Sequence, residues 1–235
     1  MAEGPRDHGE RALCRAGHAA GPAIHLRCDQ RAKRTRTLAG VTRAEIVRNH
    51  YLRHQRRLLA AVAPLDESQM RAQSGNATSI AFNLWHVARW ADWLQCTLTS
   101  STEGLRIRIG PREEIWVSEG LAARWGLAEA TLGNSQTGMG MDESASAALS
   151  LPPKAVLVAY AERAFAAVDA VLTALNDEVL DAPAVIPRER VPWMSAAEPL
   201  TVMYWFLVYL DHGARHLGMV ETLRGIAGLR GTATV

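Results

Sequence analysis

The sequence predicts an all-α protein, folded as an antiparallel four-helix bundle with long crossover loops and a metal site in the core. Four stretches carry apolar residues at helical spacing, and almost none of the chain shows the strict alternation that indicates a strand. Long segments rich in Gly or Pro separate these stretches. Two of the most apolar stretches also carry histidines, which is why a metal site is expected between facing helices.

The first 40 residues differ in composition from the rest of the chain. They are rich in Gly, Ala, Arg and His without a periodic apolar pattern, which predicts a disordered basic extension over residues 1–40. Residues 1–43 hold nine basic and four acidic side chains, a balance of +5, so the remainder holds 17 basic and 20 acidic ones, a balance of −3. The extension has no aromatic residue, and we predict no nucleic-acid partner. The folded domain is expected over residues 41–230.

Three features of the sequence concern the compartment. No window approaches the ~18 consecutive apolar residues of a transmembrane helix, so no membrane partner is expected. The N-terminus lacks the apolar core of a secretory signal. Cys14, Cys28 and Cys96 lie far apart without a CxxC pair, which argues against a disulfide framework and a thiolate zinc site. A cytoplasmic protein is therefore predicted.

The first helix is predicted over residues 42–63. Thr42 and Glu45 have the spacing of a capping box, and apolar side chains repeat behind them at helical spacing. His50 and His54 lie four residues apart on this helix and form a rival metal pair. Four neighbouring arginines disfavour a dication there, so the pair is the weaker hypothesis. That one of these two histidines lines the pocket stays an open alternative.

The second helix carries a single histidine on an apolar stripe. It is predicted to begin at a cap on Asn76 or Thr78 and to run to about residue 98. His86 and Trp90 fall on the same stripe, so the imidazole is expected to point inward. Taken alone, such a histidine is more often a core residue satisfied by a hydrogen bond than a metal ligand.

A long Gly-rich connection follows over residues 100–150, with short helices expected near 112–116 and 117–125. Connections of this length are usually functional, so a lid or pocket wall is one interpretation. The other interpretation is that this connection only packs over one end of the bundle. The large side chains available for a wall are Trp116, Trp125, Met139 and Met141.

The third helix is predicted to open at Pro152 and Pro153, since proline suits the first turn of a helix, and to run to about residue 176. Apolar side chains repeat along it at helical spacing. A second crossover, over residues 177–197, carries three prolines and one tryptophan. It leads to the fourth helix.

The fourth helix, predicted over residues 199–224, carries the strongest chemical signal. Its residues 202–210 are apolar all round, so we expect this part to be buried on every side. His212 and His216 follow, and their spacing places both rings on one face, within reach of a single divalent ion. Burying two imidazoles without partners is costly, whereas a metal would use their lone pairs. His86 is the best candidate for a third ligand.

Two segments, SIAFNLWHVARWADW on the second helix and DHGARHLGMVETLRG on the last, resemble the signature helices of the DinB-like superfamily of metal-binding four-helix bundles. The resemblance covers roughly residues 42–224. It implies a metal triad of His86, His212 and His216 that holds a zinc or nickel ion. Relatives include thiol-dependent S-transferases and a mycothiol-dependent maleylpyruvate isomerase, so the resemblance also implies a low-molecular-weight thiol as cosubstrate.

The favoured hypothesis is therefore a thiol-dependent S-transferase or isomerase that acts on a small-molecule substrate. Three imidazoles leave a coordination position open, where a water or a thiol is acidified. A metal-dependent hydrolase that activates water and a noncatalytic metal-binding stress protein are the alternatives. Asp211 and Glu221 are candidate hydrogen-bond partners of a ligand histidine, although exposure to solvent on the helix surface is the commoner position for either carboxylate. No catalytic residue is assigned, and a homodimer stays open beside a monomer.

Overall fold

The computed structural model describes residues 40–192, 194 and 200–232. The predicted extension over residues 1–40 lies, except for Gly40, outside the described residues. The chain is mostly helical, as predicted. In chain order the elements are α1 (Arg43–Val62), α2 (Glu67–Arg71), α3 (Ile80–Ser101), α4 (Glu103–Ile109), α5 (Ile115–Ser118), α6 (Leu121–Arg124), α7 (Glu143–Ala148), α8 (Lys154–Ala174), α9 (Asp177–Asp181), β1 (Pro183–Ala184), β2 (Leu200–Thr201) and α10 (Val202–Ile226).

The four long helices α1, α3, α8 and α10 surround the core. Helix α3 packs against α8 and α10, and α1 packs against the same two helices. The core between them is rich in large aromatic side chains, among which Trp85, Trp93 and Phe206 are fully buried. Within the described part of the chain, no helix combines the length and the apolar character that crossing a membrane requires.

The predicted start of α1 is confirmed. The Thr42 side chain accepts the backbone N–H of Glu45, and the Glu45 carboxylate accepts the backbone N–H of Thr42. This capping box satisfies two backbone donors that the first turn would otherwise leave without partners. On the buried face of the helix, the Tyr51 hydroxyl donates to the Phe206 carbonyl at 2.8 Å and so ties α1 to α10.

The predicted cap of α3 was wrong. The N-cap is Ser79, whose hydroxyl accepts the backbone N–H of Phe82 at 3.1 Å, and not Asn76 or Thr78. Thr78 has another role, because its hydroxyl accepts a hydrogen bond from the Asn83 amide at 2.9 Å. The helix that follows is buried along almost its whole length. Its single histidine therefore lies in the core, as expected.

Helix α10 differs from the prediction at its start and in its burial. Thr201 is the N-cap, so the helix begins three residues after Pro199, which lies outside the described residues. The prediction that residues 202–210 are buried on every side was wrong, because Tyr204 is 39% exposed and Leu207 46% exposed. The helix packs against α1 and α3, and among the described residues no other long helix covers the opposite face.

The connections contain more regular structure than the sequence indicated. Helices α5 and α6 lie close to the two predicted short helices, whereas α4, α7 and α9 were not predicted. Strands β1 and β2 pair antiparallel, with Pro183 opposite Thr201 and Ala184 opposite Leu200. This pairing joins the second crossover to the start of α10. It thereby positions the helix that carries two of the three candidate ligands.

Candidate metal centre

Three histidines from α3 and α10 meet in the interior. His212 Nε2 lies 3.1 Å from His86 Nε2 and 3.1 Å from His216 Nε2. One ligand nitrogen from each ring lies within 4.8 Å of the other two. Tetrahedral zinc with Zn–N bonds of about 2.0–2.1 Å separates its donors by roughly 3.3 Å. The three nitrogens therefore have a spacing that can hold one ion.

The opposite nitrogens of two of these rings are held by hydrogen-bond acceptors. His86 Nδ1 is hydrogen-bonded to the Thr137 carbonyl, and His216 Nδ1 lies 2.6 Å from Asn83 Oδ1. Because both partners accept, each ring carries its proton on Nδ1, and its Nε2 is the unprotonated nitrogen with the lone pair. Metal-binding histidines have this arrangement, in which the outer partner fixes the tautomer and the ring orientation.

Sequence reasoning missed both outer partners. Asp211 and Glu221 were the candidates, but Glu221 accepts the backbone N–H of Thr232 at 2.7 Å, and Asp211 is exposed, the commoner position for such a carboxylate. Asn83 had left a signal, since it is a polar residue inside the apolar run of α3 and is fully buried. A buried amide needs a hydrogen-bond partner. Thr137 could not be recognised from the sequence, because it contributes a backbone carbonyl, which every residue possesses.

Trp90 closes one side of the histidine cluster. Its ring stands edge-on to His86, with the centroids 6.2 Å apart, and to His212, with the centroids 5.8 Å apart. The indole N–H donates to His86 Nε2 at 3.2 Å, so it uses the same lone pair that an ion would use. Coordination of an ion through this lone pair would require the indole N–H to give up the hydrogen bond to His86.

The backbone of residues 137 and 138 forms a wall against the α3 histidine. Gly138 has a φ of +87°, and a Cβ at this position would lie 2.8 Å from His86 Nδ1 and 3.0 Å from an atom of the Trp85 ring. Only glycine allows the backbone to approach the imidazole so closely with this positive φ. Of the side chains proposed for a wall, Trp116 is buried in the core. The backbone at residues 137 and 138 makes the contact instead.

A fully buried arginine holds this wall in place. Arg89 Nε donates to the Gln136 carbonyl at 2.9 Å, and its NH2 group donates to the Ser135 carbonyl at 3.3 Å. Two buried carboxylates neutralise the guanidinium, with Asp92 at 3.2 Å and Glu114 at 2.8 Å. Charge-assisted hydrogen bonds of this kind are the stronger ones in proteins. Arg89 thus fixes the segment that contacts the α3 histidine.

The rival pair on α1 does not form a second centre. His50 is exposed and His54 is half-buried, so the two rings lie in different surroundings. Within the described residues, the group of side chains with the spacing of metal ligands is His86, His212 and His216. The three residues predicted as ligands are therefore brought together, and His50 with His54 are not.

Burial keeps the three imidazoles neutral. It lowers the pKa of His212 to about 4 and the pKa of His216 to about 3, with the nearby Arg215 adding to both shifts. Burial also lowers the pKa of His86 well below its usual value, and the two neighbouring histidines add to this effect. The neutral ring is the form that coordinates a metal.

Residues 50–220 match the family model of the DinB superfamily. The chain belongs to the DinB superfamily. The matched region runs from α1 into α10 and includes all three clustered histidines. A solved structure described as that of the conserved protein of locus from Enterococcus faecalis is similar, with 17% identity and a TM-score of 0.61 over 80% of this chain and 99% of the other. At this identity the likeness concerns the fold alone. No curated protein matches the chain.

The metal-free form of this DinB superfamily member is expected to lose stability as the pH falls from about 6.5 towards 4. Histidines in the unfolded chain titrate near pH ~6.5, whereas the clustered rings stay neutral in the fold. The unfolded state then binds more protons, so the free energy of unfolding falls with falling pH, by up to about 1.4 kcal/mol per pH unit for each histidine. Urea unfolding of chelated wild type and His212→Ala measures this, and equal pH slopes for both would contradict it.

Gly138→Ala is expected to destabilise this DinB superfamily protein and to weaken its binding of zinc. The added Cβ would strain the backbone and press on His86 Nδ1, at a cost of about 1–3 kcal/mol. Gly140→Ala is the matched control, because Gly140 also has a positive φ but its Cβ would approach Asn134 rather than His86. Urea unfolding and zinc competition titrations compare the two variants. Equal zinc affinities would show that residue 138 does not position the ligand.

Proposed function

We propose that this DinB superfamily member is a divalent-metal-dependent enzyme in which His86, His212 and His216 hold the ion. The observation that carries the proposal is the convergence of three Nε2 atoms, 3.1 Å apart in two of their three pairs. Fixed Nδ1 partners on two rings support it further. When bound, a zinc or nickel ion lowers the pKa of a coordinated water or thiol.

The arrangement of the long helices supports an antiparallel four-helix bundle with the site in its core. Helices α3 and α10, which carry the three histidines, pack directly against each other. Bundles build metal sites from side chains on facing helices, so the location agrees with the proposal. Nitrogen ligands favour zinc or nickel over calcium or magnesium.

The side chains around the histidines support a thiol as the second reactant. The Phe82 ring stacks on His86 with the centroids 5.6 Å apart, and Trp90 lies on another side of the same imidazole. Aromatic surroundings suit a weakly hydrated sulfur atom and exclude water from it. We therefore propose that the sulfur of a low-molecular-weight thiol forms a C–S bond to an electrophilic carbon of a small substrate. The thiol proton is lost to solvent or to the substrate, and the substrate releases a leaving group, opens a ring or adds across a double bond. In an isomerase the C–S bond breaks again and releases the thiol. The Trp90 N–H would donate to the sulfur.

Metal stoichiometry tests the site. Protein incubated with zinc or nickel and then desalted is expected to retain about one ion per chain, because the described residues contain one set of three nitrogen ligands. Elemental analysis measures the metal content. The double variant that carries both His86→Ala and His212→Ala is the control. Wild-type protein that retains neither metal would refute the site.

A rate screen of the metal-loaded protein tests the reaction. A panel of small thiols is combined with electrophiles such as epoxides, alkyl halides and unsaturated acids, and a parallel panel contains esters and amides with water alone. Thiol-dependent turnover that a chelator abolishes would support the S-transferase or isomerase. Hydrolysis of the esters or amides without any thiol would contradict the S-transferase or isomerase and support a hydrolase instead.

A further inference from the structure

His54 on α1 is a polar group that the surrounding protein does not satisfy. Its Nε2 atom is buried and has no hydrogen-bond partner within the described residues. Burial, with Arg57 adding to it, lowers the pKa of His54 to about 4, so the ring is neutral near pH 7. A neutral imidazole has one N–H donor and one acceptor nitrogen. A buried ring nitrogen without a partner is unfavourable unless a bound molecule supplies one.

The His54 ring lies against Gly213 of α10, the residue that follows His212 in the chain. A Cβ at Gly213 would lie 2.5 Å from His54 Nε2 and 3.1 Å from its Cε1 atom. Gly213 is buried in the middle of α10, where glycine is otherwise disfavoured, and the ring occupies the space that a side chain would need. Burial is the main cause of the lowered pKa values of His212 and His216, and His54 adds to both. The ring thus lies against the part of α10 that carries these two histidines.

We propose that His54 Nε2 donates a hydrogen bond to the nonprotein ligand at the metal centre. This inference rests on the proposed function, because it needs an ion at the three histidines. Those three come from α3 and α10 and leave a coordination position open. His54 comes from the neighbouring helix α1, which supplies no ligand to the group. Its Nε2 lies against Gly213, next in the chain to His212, and is not one of the clustered ligand atoms.

The ligand that suits this donor is a small molecule with a lone pair next to the ion. A thiolate sulfur and a small anion both meet this requirement. The neutral His54 ring supplies a directional N–H donor and no positive charge. The donor is expected to act on binding of the small ligand and to leave the affinity for the ion unchanged.

Cobalt-loaded protein tests the inference, because the visible absorption of cobalt(II) reports on its ligands. The probes are 2-mercaptoethanol and azide, each titrated into wild type, His54→Ala, His54→Gln and Gly213→Ala. His54→Ala is expected to bind both probes about tenfold more weakly, which is the effect of losing one hydrogen bond. Cobalt affinity should stay within about threefold of wild type. His54→Gln keeps an N–H donor and should recover part of the loss.

His50→Ala is the matched control, because His50 lies one turn earlier on α1 and is exposed. It should leave the affinity for both probes unchanged. Gly213→Ala should resemble His54→Ala, since the added methyl group displaces the ring. If it does not fold, His54→Ala and His54→Gln still decide the question.

Each remaining outcome has one meaning. Equal probe affinities in His54→Ala and wild type overturn the inference. A large fall in cobalt affinity in His54→Ala also overturns it, because His54 would then be a metal ligand. If wild type binds azide through His54 but does not bind 2-mercaptoethanol, the thiol reaction fails and the inference stands. If wild type shows no cobalt absorption at all, the proposed site and the inference fail together.

Discussion

His216→Ala is expected to abolish tight binding of zinc and nickel. It removes one of three nitrogen ligands, and the two that remain should bind at least about 100-fold more weakly, since changing even an outer partner of a ligand costs 10- to 100-fold. In the metal-free protein the same substitution leaves Asn83 Oδ1, on a fully buried side chain, without its 2.6 Å partner. We therefore expect the free energy of unfolding of the metal-free protein to fall by about 1–3 kcal/mol.

Two measurements separate the ligand role from a purely structural role. Competition with a chromophoric chelator gives the zinc affinity, and urea unfolding with and without chelator gives the stability of each form. In wild type, zinc should raise the free energy of unfolding, and in His216→Ala it should not. His50→Ala, at an exposed histidine, should behave like wild type. A His216→Ala protein that remains fully metallated would move this chain out of the metalloenzyme class.

Arg89→Leu is expected to cost about 3–5 kcal/mol of stability, because removing one partner of a buried ion pair leaves uncompensated charge. The Arg89 side chain is fully buried between Asp92 and Glu114. Leucine would also leave the Gln136 and Ser135 carbonyls without their donor. Since the segment they belong to contacts the α3 histidine, zinc affinity should fall as well, by about tenfold.

Arg48→Leu is the matched control for Arg89→Leu. Arg48 pairs with Asp169 at 2.9 Å, but the two side chains are 37% and 28% exposed. Ion pairs in contact with water contribute about 0–1 kcal/mol, so this variant should stay close to wild type in both stability and zinc affinity. Urea unfolding of the two variants side by side measures the difference. Equal losses would show that the buried network does not depend on the arginine.

The positions of the long helices followed from local sequence, but their ends followed only in part. Apolar residues at helical spacing predicted all four, because burying one face of a helix requires that spacing. The capping box of α1 was predicted correctly, since Thr42 and Glu45 are the partners of each other. At α3 three nearby residues, Asn76, Thr78 and Ser79, are suited to capping. Ser79 is the cap, while the Thr78 hydroxyl accepts a hydrogen bond from the buried Asn83 amide.

The candidate ligands were predictable for a similar reason. His212 and His216 share a helix face by their spacing alone, and the apolar stripe around His86 turned that ring inward. The two histidines of α1 have the same spacing as the α10 pair, so spacing could not rank them. Only the packing of α1 against α10 distinguishes the exposed His50 from His54, which lies against Gly213.

By itself, the sequence determined the helical class, the four long helices and the histidines that could meet. Only the tertiary structure decided what holds these histidines in place. His216 is bound by Asn83, 133 residues away in the chain, and His86 by the Thr137 carbonyl, 51 residues away. Helical periodicity reports which face of a segment is apolar, over a few turns. Which distant polar group meets that face depends on how the helices and connections pack, because every buried hydrogen-bonding atom there needs a partner from another element.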